Sequence, residues 1–352
     1  SHSKIALDME MTDASAPGSG TDGLGGWSTG IAVVIPCYKV IDHIEGVIEA
    51  IGPEVDRIYC VDDACPVGSG DFISRNVRDP RVVVVRNERN QGVGGAVMHG
   101  YRRAIDDGAT VLVKIDGDGQ MDPAILGTFA APILHGDADY TKGNRFFDLR
   151  EIKSMPLVRR IGNLGLSFMA KASSGYWDIF DPRNGYTAIH AEVAKRLPFD
   201  AISRRHFFET DILFRLNTLR AVVMDIPMDA RYGDEVSGLS ASRVIGEFFA
   251  KHLRNFFKRI VYSYFLRDMS LASLELLAAT ALLSFGMFFG GAHWWSSGSK
   301  NIATPVGTLM IVTVALVAGL QLLLAFLGYD IASTPRQPLH PRLHRRRLPA
   351  GR

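Results

Sequence analysis

Residues 111–123 read VLVKIDGDGQMDP. The run 110–115 is rich in β-branched and apolar residues, as a buried strand requires, and it stops at Asp116-Gly117-Asp118. Carboxylates two residues apart on an extended chain lie on the same side, where they repel. A divalent cation removes that penalty, and Mg²⁺ typically takes one or two protein carboxylates together with substrate phosphates. The following helix does not need them, because Asp122-Pro123 already supplies an N-cap and a first-turn proline. A calcium loop is excluded: its sixth position would be Met121 and its twelfth Gly127, where Gly and Glu are needed.

Upstream, strand-like runs at 31–35, 57–61, 81–85 and 110–115 alternate with helical patterns at 43–51, 71–77 and 94–106. This order predicts an α/β domain with a mostly parallel sheet and helices on both faces. The nearly continuous Val/Ile content of the strands fits burial on both sides. Ligands of such sheets gather at the carboxyl ends of the strands. There the chain places Pro36-Cys37-Tyr38, Asp62-Asp63, Asn87 and Asp116-Gly-Asp118. The glycine-rich NQGVGGAVMHG fails as a dinucleotide motif, since Val97 stands where Gly or Ala is required, and no Gly-Lys-Ser/Thr follows for a P-loop. Its glycines still permit close backbone approach to a phosphate or sugar at a helix start.

Downstream, strands are expected at 139–142, 186–190 and 222–226, and helices at 157–173 and 208–219. Segment 242–265 is amphipathic, basic and rich in Phe and Tyr, which suits a helix lying in a membrane interface and also offers a surface for self-association. Segments 271–292 and 302–328 are apolar over more than the ~20 residues that span a bilayer core. Lys251, Arg254, Lys258, Arg259 and Arg267 precede the first, only Lys300 lies between them, and Arg336, Arg342, Arg345, Arg346, Arg347 and Arg352 follow the second. By the positive-inside rule both flanks are cytoplasmic, on a plasma or inner membrane. The expected organisation is a disordered tail at 1–29 without a secretory signal, and a cytoplasmic catalytic domain at 30–240. Interface helices follow at 241–268, then a membrane hairpin at 269–329 and a basic tail at 330–352.

The 352 residues carry a net charge of +2, so nothing drives the whole chain toward nucleic acid. Cys37, Cys60 and Cys65 lack zinc-site spacing and read as reduced thiols. His190, His206 and His252 lack ligand-like spacing and read as structural.

The motifs VVIPCYKV, VDDACPVGSG, NERNQGVGGAVMHGYRRA and VLVKIDGDGQMDP together resemble the family 2 glycosyltransferases of GT-A fold. Within these they are most similar to the polyprenyl-phosphate sugar transferases, over about residues 31–240. The resemblance implies a nucleotide-diphosphate sugar donor (UDP- or GDP-linked), a polyprenyl (undecaprenyl) phosphate acceptor and Mg²⁺ or Mn²⁺ as cofactor. It implies that Pro36, Tyr38 and Asp62 or Asp63 line the nucleotide, and that Gln91, Gly92 and Gly95 lie beside the donor. Asp116 and Asp118, with Gln120, would hold the metal and the diphosphate. Arg145, Arg159 or Arg160, Asn163 and Arg231 would meet the acceptor phosphate. One departure is plain: where the family often reads Pro-x-Tyr-Asn-Glu, this chain has Pro36-Cys37-Tyr38-Lys39-Val40, without the acidic residue.

A phosphate monoester is largely dianionic at pH 7 and needs no general base to act as a nucleophile. The expected reaction is therefore a single displacement with inversion at the anomeric carbon. Glu209 and Asp211 either orient a substrate or sit exposed on their helix. A polysaccharide synthase would carry a Gln-x-x-Arg-Trp-type motif, absent from this sequence. A membrane-anchored sugar-nucleotide sensor or scaffold would bind nucleotide without turnover.

Overall fold

The computed structural model describes residues 27–145, 157–182, 184–229 and 241–345. Seven strands form one sheet: β1 (Ile31–Cys37), β2 (Arg57–Asp62), β3 (Val82–Arg86), β4 (Val111–Lys114), β5 (Tyr140–Asn144), β6 (Thr187–His190) and β7 (Val223–Pro227). Their order is β3-β2-β1-β4-β6-β5-β7. The sheet is mostly parallel, as expected, with β6 running against both β4 and β5. The strand order reverses at β1, which pairs with β2 on one side and β4 on the other. A crevice opens at such a switch point, outside the carboxyl ends of the two strands.

The helices around this sheet are α1 (Ile44–Glu49), α2 (Ser69–Asn76), α3 (Gly92–Asp106), α4 (Leu126–Leu134), α5 (Leu157–Ser174) and α6 (Phe208–Leu219). Alternate residues of β1 feed two cores. Ala32 and Val34 pack with Tyr101 of α3 and Leu213 of α6, while Val33 and Ile35 pack with Ile44 and Ile48 of α1 and Phe129 of α4. Each fully buried Val, Ile or Phe contributes roughly 1.5–3 kcal/mol, so these two-sided strands carry most of the fold's stability. Gly100 lets α3 lie against the sheet: a Cβ there would stand 2.4 Å from Val34 and 2.9 Å from Val61. β4 ends at Lys114, one residue earlier than its apolar run, because Asp116–Gly119 turns away from the ladder.

The amphipathic segment forms α7 (Ala241–Val261) and closes in a π-helical turn, Tyr262–Arg267. Two long apolar helices follow, α8 (Leu271–Ser299) and α9 (Val306–Ala332), each long and apolar enough to cross a membrane. Gly286 and Gly290 of α8 meet Leu316 and Val312 of α9, small residues that let two apolar helices approach closely. At the far end of α9 the buried Asp330 accepts from both terminal nitrogens of Arg259 (2.6 and 2.9 Å), from Tyr264 Oη (2.6 Å) and from Trp177 Nε1 (2.9 Å). Arg259 also donates to the carbonyl of Ala172 at the end of α5. One buried cluster thus joins the apolar hairpin, α7 and α5.

Beyond α9 the chain returns to the sheet. Buried Asp139 accepts from the amides of Val222, Leu339 and His340 and bonds His340 Nδ1, whose ring stacks on His190. Burial alone would raise the Asp139 carboxyl, but these donors hold it below the usual carboxylate range. Its folded value lies below the unfolded value of about 3.9, so its contribution is present above that pH and is lost as pH falls through the folded value. Asp139→Asn is therefore expected to cost about 2–3 kcal/mol at pH 7, with the gap to the unaltered chain closing in acid. Thermal unfolding across a pH series checks this.

Candidate active site

The crevice at the β1/β4 switch point is a cleft of about 590 Å³. Its walls include Pro36 near the end of β1, Tyr38 and Lys39 after it, Asp63 after β2, and Asp116 and Asp118 after β4. The two carboxylates thus face one cavity, from a turn beyond the strand. Asp116 Oδ1 is 2.7 Å from the ammonium of Lys114, which is buried within β4. Asp118 Oδ1 accepts from the backbone amide of Gln120, which fixes the turn. Among the described residues no cluster of three or more His, Cys, Asp and Glu has metal-binding geometry. Two carboxylates facing one cavity nonetheless match the donor set of Mg²⁺ or Mn²⁺ sites completed by substrate oxygens, and His206 lines the same cleft.

Beneath Asp116 lies a charged layer. Lys114 on β4 and Lys142 on β5 both stand opposite Thr187 of β6, and both are buried. Lys142 donates to the carbonyl of Asn184. Glu209, in the first turn of α6, faces both lysines; burial pushes its carboxyl up to about 7 against their pull, and the nearby Asp116 adds to the rise. Burial likewise pushes Lys142 down to about 8, opposed by Glu209 and Asp181. Asp211 is buried, accepting from the amide of Ser203 and from Asn255. Neither acidic residue of α6 is an exposed helix position, which corrects that alternative.

Asp62 and Asp63 divide their work. Asp62 faces its own loop, accepting from the amides of Cys65 and Gly70. Asp63 reaches the cleft and holds the glycine-rich segment, accepting from Asn87 Nδ2 and from the amides of Gln91 and Gly92. The glycines then admit protein backbone: a Cβ on Gly92 would stand 2.5 Å from the carbonyl of Arg204, and one on Gly94 the same distance from that of Ser203. This close approach carries Arg205 and His206 into the cleft. Gly92 lines the cleft itself, whereas Gln91 and Gly95 line a smaller cavity of about 230 Å³ with His99 and Arg204.

Of the residues expected to meet an acceptor phosphate, Arg145 donates through Nε and Nη2 to buried Asp181 (2.8 and 3.3 Å) and keeps 35% of its side chain exposed. Arg159, Arg160 and Asn163 lie on the first half of α5. Arg231 lies outside the described residues.

The family model described as "Glycosyl transferase family 2" matches residues 32–197, which span β1 to β6 and both cleft carboxylates. An uncharacterized protein of Methanocaldococcus jannaschii is 30% identical over 57% of this chain and 82% of its own length. The chain belongs to glycosyl transferase family 2. Two further relatives have named activities. A UDP-N-acetylglucosamine–dolichyl-phosphate N-acetylglucosaminyltransferase of Methanococcus voltae is 26% identical over 61% of this chain and 91% of its own. An undecaprenyl-phosphate mannosyltransferase of Micrococcus luteus is 29% identical over 56% and 82%. The catalytic domain is a GT-A sheet, and the protein is a glycosyltransferase.

Sequence reasoning missed several groups in this family 2 glycosyltransferase. His206 belongs to the cleft, and Arg205 beside it; the run Ser203-Arg204-Arg205-His206 just before α6 was the available signal. Lys39 also lines the cleft, in the left-handed region at φ +60°. The Asn common at this place in the family adopts that conformation more readily than Lys. Lys39→Asn is expected to stabilise the fold by about 1 kcal/mol, seen as a rise of a few degrees in thermal midpoint.

Proposed function

We propose that this glycosyltransferase moves a hexose from a nucleoside-diphosphate sugar to a polyprenyl phosphate at a membrane surface, with inversion and with Mg²⁺ or Mn²⁺. The observation that carries this reading is a switch-point cleft lined by Asp63, Asp116 and Asp118 on a domain joined, through Asp330 and Arg259, to two apolar helices of membrane-spanning length. The named relatives use polyprenyl-type phosphates, which fits the same chemistry.

In this reading Pro36, Tyr38 and Asp63 border the nucleotide, and Asp116 and Asp118 hold the cation, with His206 beside them. When bound, the cation neutralises charge on the diphosphate as it departs. Lys114 keeps Asp116 turned to its place, and the Lys142–Glu209 layer supports Lys114 from below. The acceptor is already a dianion, so the protein supplies no general base; its task is to bring two anions together. Arg145, aimed by buried Asp181, pairs with the lipid phosphate in the fork geometry that guanidinium provides, together with Arg159 or Arg160 and Asn163. The excess of Lys and Arg on both flanks of the hairpin supports a cytoplasmic location for the catalytic domain and both flanks.

The test is transfer of radiolabelled sugar from a panel of nucleotide sugars to undecaprenyl phosphate in detergent, with Mg²⁺, Mn²⁺ or EDTA. Metal-dependent label in the organic phase from one donor is the expected result and names the sugar. Nucleotide binding without lipid-linked label from any donor would leave a different acceptor or a sensor.

A further inference from the structure

A second cavity lies at the other end of α6. It holds about 600 Å³, within the range of small-molecule sites, and shares no lining residue with the active-site cleft. The cleft sits before the N-terminus of α6, whereas this groove is lined by its last two turns, by α7 and by the π-helical turn. From the start of α6 at Phe208 to Phe214, where the groove begins, the helix rises about 9 Å. The groove's apolar surface is open to solvent: Phe257 is 58% exposed and Leu266 is 74% exposed. Phe257 belongs to a longer stripe, Phe249-Leu253-Phe257-Val261, spaced four residues apart on α7 and at least 44% exposed throughout. Leu266 lies five residues before the first membrane-length helix begins at Leu271. Three cations line the groove with these apolar groups: Arg196, Arg215 and Lys258. Arg215 is anchored there, donating to the carbonyl of Ala201 and standing 3.5 Å from Asp211.

We infer that this groove binds one anionic phospholipid of the surrounding bilayer, its acyl chain along Phe214, Phe257 and Leu266 and its headgroup phosphate on Arg196, Arg215 and Lys258. The inference rests on the reading that α8 and α9 cross a membrane. An apolar trough whose last lining residue stands five residues before the hairpin suits a hydrocarbon chain, and the cations that line it suit a phosphate diester. The occupant is a bilayer lipid, not the acceptor, because the groove shares no lining residue with the cleft in which Asp116 and Asp118 face the sugar donor.

The full chain, reconstituted into nanodiscs of equal phosphatidylglycerol and phosphatidylcholine, is released for native mass spectrometry. One phosphatidylglycerol per chain is expected, favoured about tenfold over phosphatidylcholine. The preference should vanish in the Arg196→Glu/Lys258→Glu variant and fall in Val261→Trp, which fills the groove. Both variants should retain donor binding, which shows that they fold. Equal retention of the two lipids, or undiminished phosphatidylglycerol on the charge-reversed variant, would overturn the site while leaving the membrane reading intact. Retention of added undecaprenyl phosphate in its place would overturn the proposed occupant. A chain stripped from vesicles by alkaline carbonate would remove the membrane reading, and the site with it.

Discussion

Asp118→Asn should lower sugar transfer by about 10³-fold without measurable loss of stability. The replacement keeps an oxygen that accepts from the Gln120 amide, so the turn after β4 can hold its shape. What it removes is one of the two negative charges that the turn after β4 presents to the cleft. Asp116→Asn should cost as much activity and, in addition, about 1–3 kcal/mol of stability. It strips the carboxylate partner from Lys114, an ammonium almost without solvent access. The two variants therefore separate a loss of chemistry from a loss of folding. Transfer assays, Mn²⁺ titration followed by paramagnetic resonance, and thermal unfolding on the same preparations check the pair. Near-normal transfer in Asp118→Asn would move the cation to other residues.

That asymmetry between two similar aspartates was not legible in the sequence. The alternation of strands and helices, the two-sided burial and the gathering of polar groups at the carboxyl ends of the strands follow from patterns that local residues repeat: Val/Ile runs, helical periodicity, and polar residues at successive strand ends. The apolar hairpin was legible for the same reason, since length and composition alone define it. Lys114 and Lys142 interrupt otherwise strand-like runs and read locally as ordinary polar positions. Their meaning depends on Glu209, which lies 67 residues beyond Lys142 in the chain and is brought to them by α6. The glycine-rich segment was recognised as a place of close backbone approach, but the approaching backbone is the protein's own, at Ser203 and Arg204. Such pairings carry no periodicity, so a reading from local pattern has nothing to detect. Asp330 is the extreme case: it is a lone acid at the end of an apolar run, and its partners lie 66, 71 and 153 residues away.

Breaking that cluster should have the largest effect on stability. Among the described residues, Arg259→Met leaves buried Asp330 with Tyr264 Oη and Trp177 Nε1 as its side-chain donors, and Asp330→Leu leaves a buried guanidinium with the Ala172 carbonyl as its hydrogen-bond acceptor. Removing one member of a buried ion pair costs about 3–5 kcal/mol, because the survivor keeps its desolvation penalty and loses its compensation. The double variant Arg259→Met/Asp330→Leu buries no charge at this point, and it should recover most of that loss. Activity should not follow stability. Arg259 also ties down the C-terminal end of α5 through Ala172, and α5 carries Arg159, Arg160 and Asn163 at its other end. Neither Met nor Leu restores that hydrogen bond. The double variant is thus expected to unfold nearly like the unaltered protein and yet to show a KM for polyprenyl phosphate raised about tenfold, with the donor KM unchanged. Recovery of both quantities together would mean that the pair holds the hairpin in place without orienting the acceptor helix. Single variants costing under about 1 kcal/mol would mean that water reaches the pair, as at an exposed ion pair.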